Sequence, residues 1–161
     1  MLRRLLLVAC WLAPACVGAA TFTGVVSHVS DGDSLWVRPA GGGAALEVRV
    51  TGIDAPESCQ PWGPQARQAL VRRLLHRPVR VHTSGRDDYH RVLGRVEWAG
   101  QDVGRWLVRN GLAWSYRYRR QPGAYDAEQA EARRARRGLW SDAQPLEPRV
   151  FRRRHGSCPA G

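Results

Sequence analysis

Residues 48–58 read VRVTGIDAPES. Val48 and Val50 alternate around Arg49 as they would in a half-buried strand, and the alternation breaks at Gly52, ahead of Asp54 and Glu57 on either side of Pro56. Arg49 and Asp54 would face opposite sides of a regular strand. A bulge or bend at Gly52 restores a common face. Pro56 restricts Ala55 to an extended backbone and stiffens the turn that presents Glu57. The stretch therefore gathers two carboxylates and one guanidinium at the end of a strand.

Strand patterns lie on both sides of it. FTGVVSHV (22–29) and SLWVR (34–38) are β-rich runs joined by the turn signal SDGD, and a glycine-rich loop leads into LEVRVTGI (46–53). From Pro64 to Arg77 the residues Ala66, Ala69, Leu70 and Leu74 recur at helical spacing, with Pro64 at the start and Pro78 as the stop. VRVHT (79–83) and VLGRVEW (92–98) give two more strands. Val103, Trp106 and Leu107 mark a short helix closed by Gly111. A last helix over about 124–137 has its acids early and its arginines late, which suits the helix dipole. The fold class is α+β, mainly β: a five-stranded closed barrel of the oligonucleotide-binding (OB) type with about three packed helices.

The ends read differently. MLRRLLLVACWLAPACVGAA (1–20) has a basic start, an apolar run and small residues before a cut after Ala19 or Ala20, the pattern of a secretory signal peptide. Pro14 and the short apolar run argue against a membrane span. Residues 21–143 form the folded domain, and 144–161 read as an irregular basic tail. All 25 basic residues of the 161 are arginine; without Arg3 and Arg4, 23 face 14 acids, a net charge of +9. Such a surface attracts polyanions, nucleic acid first and anionic membrane second. Of four cysteines, Cys10 and Cys16 leave with the leader. In an exported chain Cys59 and Cys158 most simply form one disulfide; free or intermolecular thiols are the alternative.

Asp31 and Asp33 of the SDGD turn share a face in extended chain, beside the strand that follows. The pair can serve a hard cation, and Asp-Gly-Asp is equally an ordinary hairpin turn. Leu35 stands where an EF-hand loop needs its next oxygen ligand, which excludes that motif. The histidines show no H-E-x-x-H spacing, so a zinc mechanism has no support. Hydrolysis of a phosphodiester asks for a metal to polarise the phosphate, a base for water and guanidiniums for the developing charge. A plain salt bridge at a strand end would use Arg49 and either acid as well.

Two further segments, DDYHR (87–91) and LVRNGLA (107–113), favour the first reading. With SDGDSLWV, VRVTGIDAPE, GPQAR and GLWSD, in this order and spacing, the chain resembles the staphylococcal nuclease (thermonuclease) family over about residues 24–142. The resemblance implies Asp33 and Asp54 as calcium-binding carboxylates, the backbone carbonyl of Ala55 as a further ligand, and Asp31 as a supporting acid. It implies Glu57 as general base, Arg49 as the phosphate-gripping arginine and Arg91 as the second catalytic arginine. Tyr89, Tyr116 and Tyr118 match the tyrosines that line the nucleotide pocket, with the spacing after GLA one residue shorter than in the founding member. Ordinary tyrosine packing competes for each. His90 occupies a position that is usually glycine.

The function implied is calcium-dependent, sequence-nonspecific hydrolysis of DNA and RNA by water attack, with one Ca²⁺ ion, 3′-phosphate products and single strands preferred. The expected protein is a monomer of the periplasm or the medium. The alternative is a catalytically inactive OB-fold module that binds single-stranded nucleic acid.

Overall fold

The computed structural model describes residues 20–119, 121–156 and 158. The leader expected over residues 1–20 therefore lies outside the described residues except for Ala20. Five strands, β1 (Thr21–Val29), β2 (Ser34–Pro39), β3 (Leu46–Val50), β5 (Pro78–Arg86) and β6 (Val92–Trp98), run in the order β3-β2-β1-β5-β6. Neighbours in that series are antiparallel, and a parallel pairing of β3 with β6, Val48 opposite Val92 and Val50 opposite Gly94, closes the sheet into a barrel. Closure removes the open edges that a five-stranded sheet would otherwise expose. Irregular register between Val26 and His28 in β1, and between Thr83 and Gly85 in β5, supplies the curvature.

Period-two alternation puts Val26, Leu35, Val37, Val48, Val50, Val81 and Val96 inside, all essentially buried. The expected third strand, 46–53, is broken. Gly52, at φ 78°, turns the chain, and Ile53–Asp54 becomes a short strand β4 that pairs with β8 (Trp114–Ser115) instead of continuing in the barrel. A further two-residue strand, β7 (Gln101–Asp102), extends β6.

Among the described residues four α-helices accompany the barrel. In α1 (Gly63–Leu74) Ala66, Ala69, Leu70 and Leu74 are the buried face, as their spacing predicts. Helix α2 (Val103–Arg109) starts at Asp102, whose carboxylate accepts from the Arg105 amide. Helix α3 (Asp126–Arg134) is shorter than its charge pattern suggests, and the chain after it tightens into a 3₁₀ turn at Gly138–Ser141.

Among its described residues the basic tail is not irregular throughout. Residues Pro148–His155 form helix α4, begun by a proline at its first turn and anchored beyond its end by a disulfide between Cys59 and Cys158, with Cα atoms 5.6 Å apart. The composition of the tail hides this, because the helix is held by contacts distant in sequence. Among the described residues no helix is long and apolar enough to cross a membrane.

Candidate active site

At the open end of the barrel near the β3–β4 corner lies a cavity of about 990 Å³, lined among others by Asp31, Asp33, Arg49, Asp54, Glu57, Tyr89 and Arg91. The corner works as the sequence suggests. Arg49 points outward from β3, the bend at Gly52 reverses the facing of the chain, and Arg49 Nη2 then donates to Asp54 Oδ1 at 3.1 Å. Its Nη1 meets Asp33 Oδ2 at 2.6 Å. One guanidinium thus joins the carboxylates of two separate turns.

Asp33 and Asp54 are each only 5% exposed. Burial raises the Asp33 carboxyl above the usual carboxylate range, a tendency that Arg49 opposes and the negative charge of Asp31 reinforces. Asp33 is fixed on both oxygens: Oδ2 accepts from the Ala55 amide at 2.8 Å, and Oδ1 accepts from Ser34 Oγ at 3.2 Å. Asp31 bends the turn by accepting from the Asp33 amide at 2.9 Å.

Arg91 reaches the same place from the loop between β5 and β6. Its Nε donates to Asp87 Oδ2 at 2.8 Å and its Nη1 to Ser34 Oγ at 3.4 Å, so a buried hydroxyl links it to Asp33. Partial burial pushes the Asp87 carboxyl up, and hydrogen bonds from Arg91 and Tyr89 outweigh it, holding the group below its ordinary value. His90 takes the left-handed backbone, φ 64°, that a glycine would adopt freely. The Tyr89 ring is 80% exposed and lies 5.6 Å from the Arg91 guanidinium, at the mouth of the cavity.

The other two tyrosines are not in this cavity. Tyr116, 43% exposed, lines a neighbouring hollow with Trp114, Arg133 and Arg149, and Tyr118 borders neither. Helix α4 contributes to both hollows, with Arg152 in the first and Arg149 in the second. Arg152 was not singled out by the sequence; its Nη1 lies 2.5 Å from Glu57 Oε1, and its Nη2 lies 3.2 Å from Asp54 Oδ2. Asp87 was missed too, although an Asp four residues before Arg91 is a readable signal.

Asp33 and Asp54 offer hard oxygen donors on nearly buried carboxylates whose charge must be balanced, which suits a hard cation such as calcium better than a borderline-soft one. Arginines now balance them, and among the described residues no three His, Cys, Asp or Glu side chains are drawn together around one point.

Comparison with known proteins identifies the family. Residues 47–142 match the family described as "Staphylococcal nuclease homologue". A "Micrococcal nuclease" of Shigella flexneri is 38% identical over 146 residues, covering 83% of this chain and 82% of that protein. An "Uncharacterized endonuclease" of Escherichia coli is 36% identical over 136 residues, 84% of this chain and 88% of its own length. A "Probable staphylococcal-like nuclease CAN1" of Oryza sativa subsp. japonica is 32% identical over 106 residues, 66% of this chain and 32% of the plant protein. The chain belongs to the staphylococcal nuclease family and is a hydrolase of the nuclease type.

Proposed function

We propose that the protein is an exported, calcium-dependent nuclease that hydrolyses phosphodiester bonds of DNA and RNA without sequence preference and leaves 3′-phosphates. The observation that carries this reading is the convergence on one cavity of Asp33, Asp54, Glu57, Arg49 and Arg91, which come from three separate segments of the chain. A structural ion pair needs two of them; phosphoryl chemistry needs the set.

Asp33, Asp54 and the Ala55 carbonyl are the groups that would hold the calcium ion, which when bound supplies charge neutralisation and polarisation at the phosphate. Glu57 is partly exposed at the cavity wall and takes the proton of the attacking water. Arg49 and Arg91 grip the non-bridging oxygens and meet the charge that grows on them. Asp87 fixes the Arg91 fork from behind. Arginine contacts to phosphate position a substrate without reading its bases. Tyr89, exposed beside them, gives an unpaired base a ring to stack on, which supports a preference for single strands. The protein acts as a monomer in the periplasm or the medium.

One observation favours the second reading, a module that binds strands without cleaving them: Arg152 already pairs with Glu57 and Asp54. The test is release of acid-soluble nucleotides from single-stranded DNA by the purified mature protein, with calcium, with magnesium alone and with chelator. The expected result is calcium-dependent release that the chelator abolishes, falling by ~10²–10⁴ in E57Q with the melting temperature nearly unchanged. Strand binding without release under any ion gives the binding module instead, and undiminished turnover in E57Q removes Glu57 from its role.

A further inference from the structure

Helix α4 delivers one side chain to the middle of the site. Arg152 donates to both oxygens of Asp54, from Nη2 to Oδ2 at 3.2 Å and from Nη1 to Oδ1 at 3.3 Å. The same Nη1 lies 2.5 Å from Glu57 Oε1. One guanidinium fork therefore spans the carboxylate expected to hold the cation and the carboxylate expected to activate water. Such bidentate, charge-assisted contacts are the strong class of hydrogen bond. Together with Arg49 on Asp33 and Asp54, Arg152 supplies the positive charge that a divalent ion would otherwise bring.

Several links hold Arg152 there. The Cys59–Cys158 disulfide ties the chain just beyond α4 to the position two residues after Glu57. Gln60, 4% exposed, accepts from the Glu57 amide at 3.1 Å and donates to the Leu146 carbonyl at 2.6 Å, so one buried side chain joins the acid's backbone to the segment leading into α4. Phe151 and His155, with ring centroids 4.7 Å apart, line a separate hollow with Trp62, Trp114 and Leu146, while Arg152, between them in sequence, lines the cavity that holds the carboxylates.

We propose that Arg152 is a tethered counter-cation that competes with the divalent ion for Asp54 and Glu57, and that the Cys59–Cys158 bridge, by holding it in place, sets the cation affinity of the site. This rests on the nuclease reading of the same carboxylates. An ion held by Asp54 would compete with Arg152 for the carboxylate, and loss of the Arg152 contacts would leave Glu57 free to accept a proton. A tether raises the effective concentration of the competing group without adding a contact. The free fraction of the carboxylates, and with it the apparent affinity for the ion, falls in proportion.

The experiment is calorimetric titration of the cation-free mature protein with calcium, for the wild type, R152Q, R149Q and the double variant C59S/C158S, each checked for folding by circular dichroism and thermal melting. R152Q is expected to bind about ten- to a hundredfold more tightly, the scale of hydrogen bonds to a charged group. C59S/C158S keeps every charge and should bind severalfold more tightly, because Gln60 and Phe151 still guide the helix. R149Q loses the same charge from the same helix; Arg149 lies in the neighbouring hollow, which Asp54 also borders, but makes no ion pair with Asp54 or Glu57, so affinity should change by less than about threefold. If R152Q does not fold, R152K, which keeps the charge and loses the fork, carries the comparison. Equal or weaker binding in R152Q, or a shift no larger than that of R149Q, overturns the proposal while leaving the cation site standing; unchanged affinity in C59S/C158S overturns the role of the bridge. If neither wild type nor R152Q takes up calcium, magnesium or manganese, the reading of these carboxylates as a cation site fails, and the competition falls with it.

Discussion

The Asp87–Arg91 turn shows how much a single position can depend on its neighbours. His90 sits at φ 64°, a conformation that costs a non-glycine residue about 1 kcal/mol. Asp87 accepts from the Tyr89 amide, the Arg91 amide and Arg91 Nε, at 3.0, 2.9 and 2.8 Å, and these bonds fix the loop despite that cost. The same bonds orient the guanidinium so that Nη1 faces Ser34. Lysine at position 91 would keep a charge but could not reach Asp87 and the phosphate together. R91K should therefore lower kcat/KM by about a hundredfold or more with little change in melting temperature; near-normal kinetics would make Arg91 structural only. At this scale the site was largely legible: Arg49, Asp54 and Glu57 are close in sequence, and the DDYHR segment announces the second arginine. The supporting role of Asp87 was not read, because it is a matter of which oxygen meets which amide.

Among the elements, the β3–β4 corner and the start of α1 together place Glu57. The period-two pattern of 46–50 and the helical spacing of 66–74 were both readable, since each is a local repeat set by burial on one side. The break at Gly52 was also readable, as the device that brings Arg49 and Asp54 to one face. Helix α4 was not: a run of arginines after prolines carries no apolar repeat, and its position comes from a disulfide spanning 99 residues and from Gln60. The placement of Tyr116 and Tyr118 was likewise hidden, because short loops after β8 decide where those rings point. Gly63 is the tightest joint among these elements, for a β-carbon there would overlap the carbonyl of Glu57. G63A should destabilise the protein by roughly 1–3 kcal/mol, as overpacking does, and should reduce turnover further than the loss of folded protein explains. Urea unfolding alongside steady-state rates separates the two effects; wild-type turnover in the folded fraction would show that Glu57 tolerates the shift.

Over the whole molecule, the barrel, the tail and the charge act together. The parallel β3–β6 pairing closes the barrel, and the disulfide then ties the C-terminus to the rim, a loop closure worth up to about 4–5 kcal/mol on chain-entropy grounds. All 25 lysine-or-arginine positions are arginine, whose guanidiniums stay charged at any pH the fold survives, so the carboxylates and the five histidines set how stability varies on the acid side. Hydrogen bonds from arginine or histidine hold Glu97 and Glu131 below the ordinary range, and for Asp126 bonds from Ser115, Arg117 and Gly123 outweigh the upward push of burial. Asp87 behaves in the same way, whereas Asp33, raised by burial, gains stability as pH falls and offsets part of the trend. A carboxyl depressed in the folded state stabilises above its unfolded value near 4, and this contribution disappears as pH falls through the lower folded value. Protonation also removes the negative charges that offset the arginines, and self-repulsion grows. The melting temperature of the oxidised protein should therefore be lower at pH 3 than at pH 7 by roughly 5 °C or more in 0.1 M salt. Added salt should restore part of that loss by screening the repulsion, but not the part due to the lost ion pairs. A melting temperature independent of pH between 7 and 3 would mean that these carboxylates are no better held in the folded chain than in the unfolded one, and that the arginine-rich surface serves its ligands rather than its own fold.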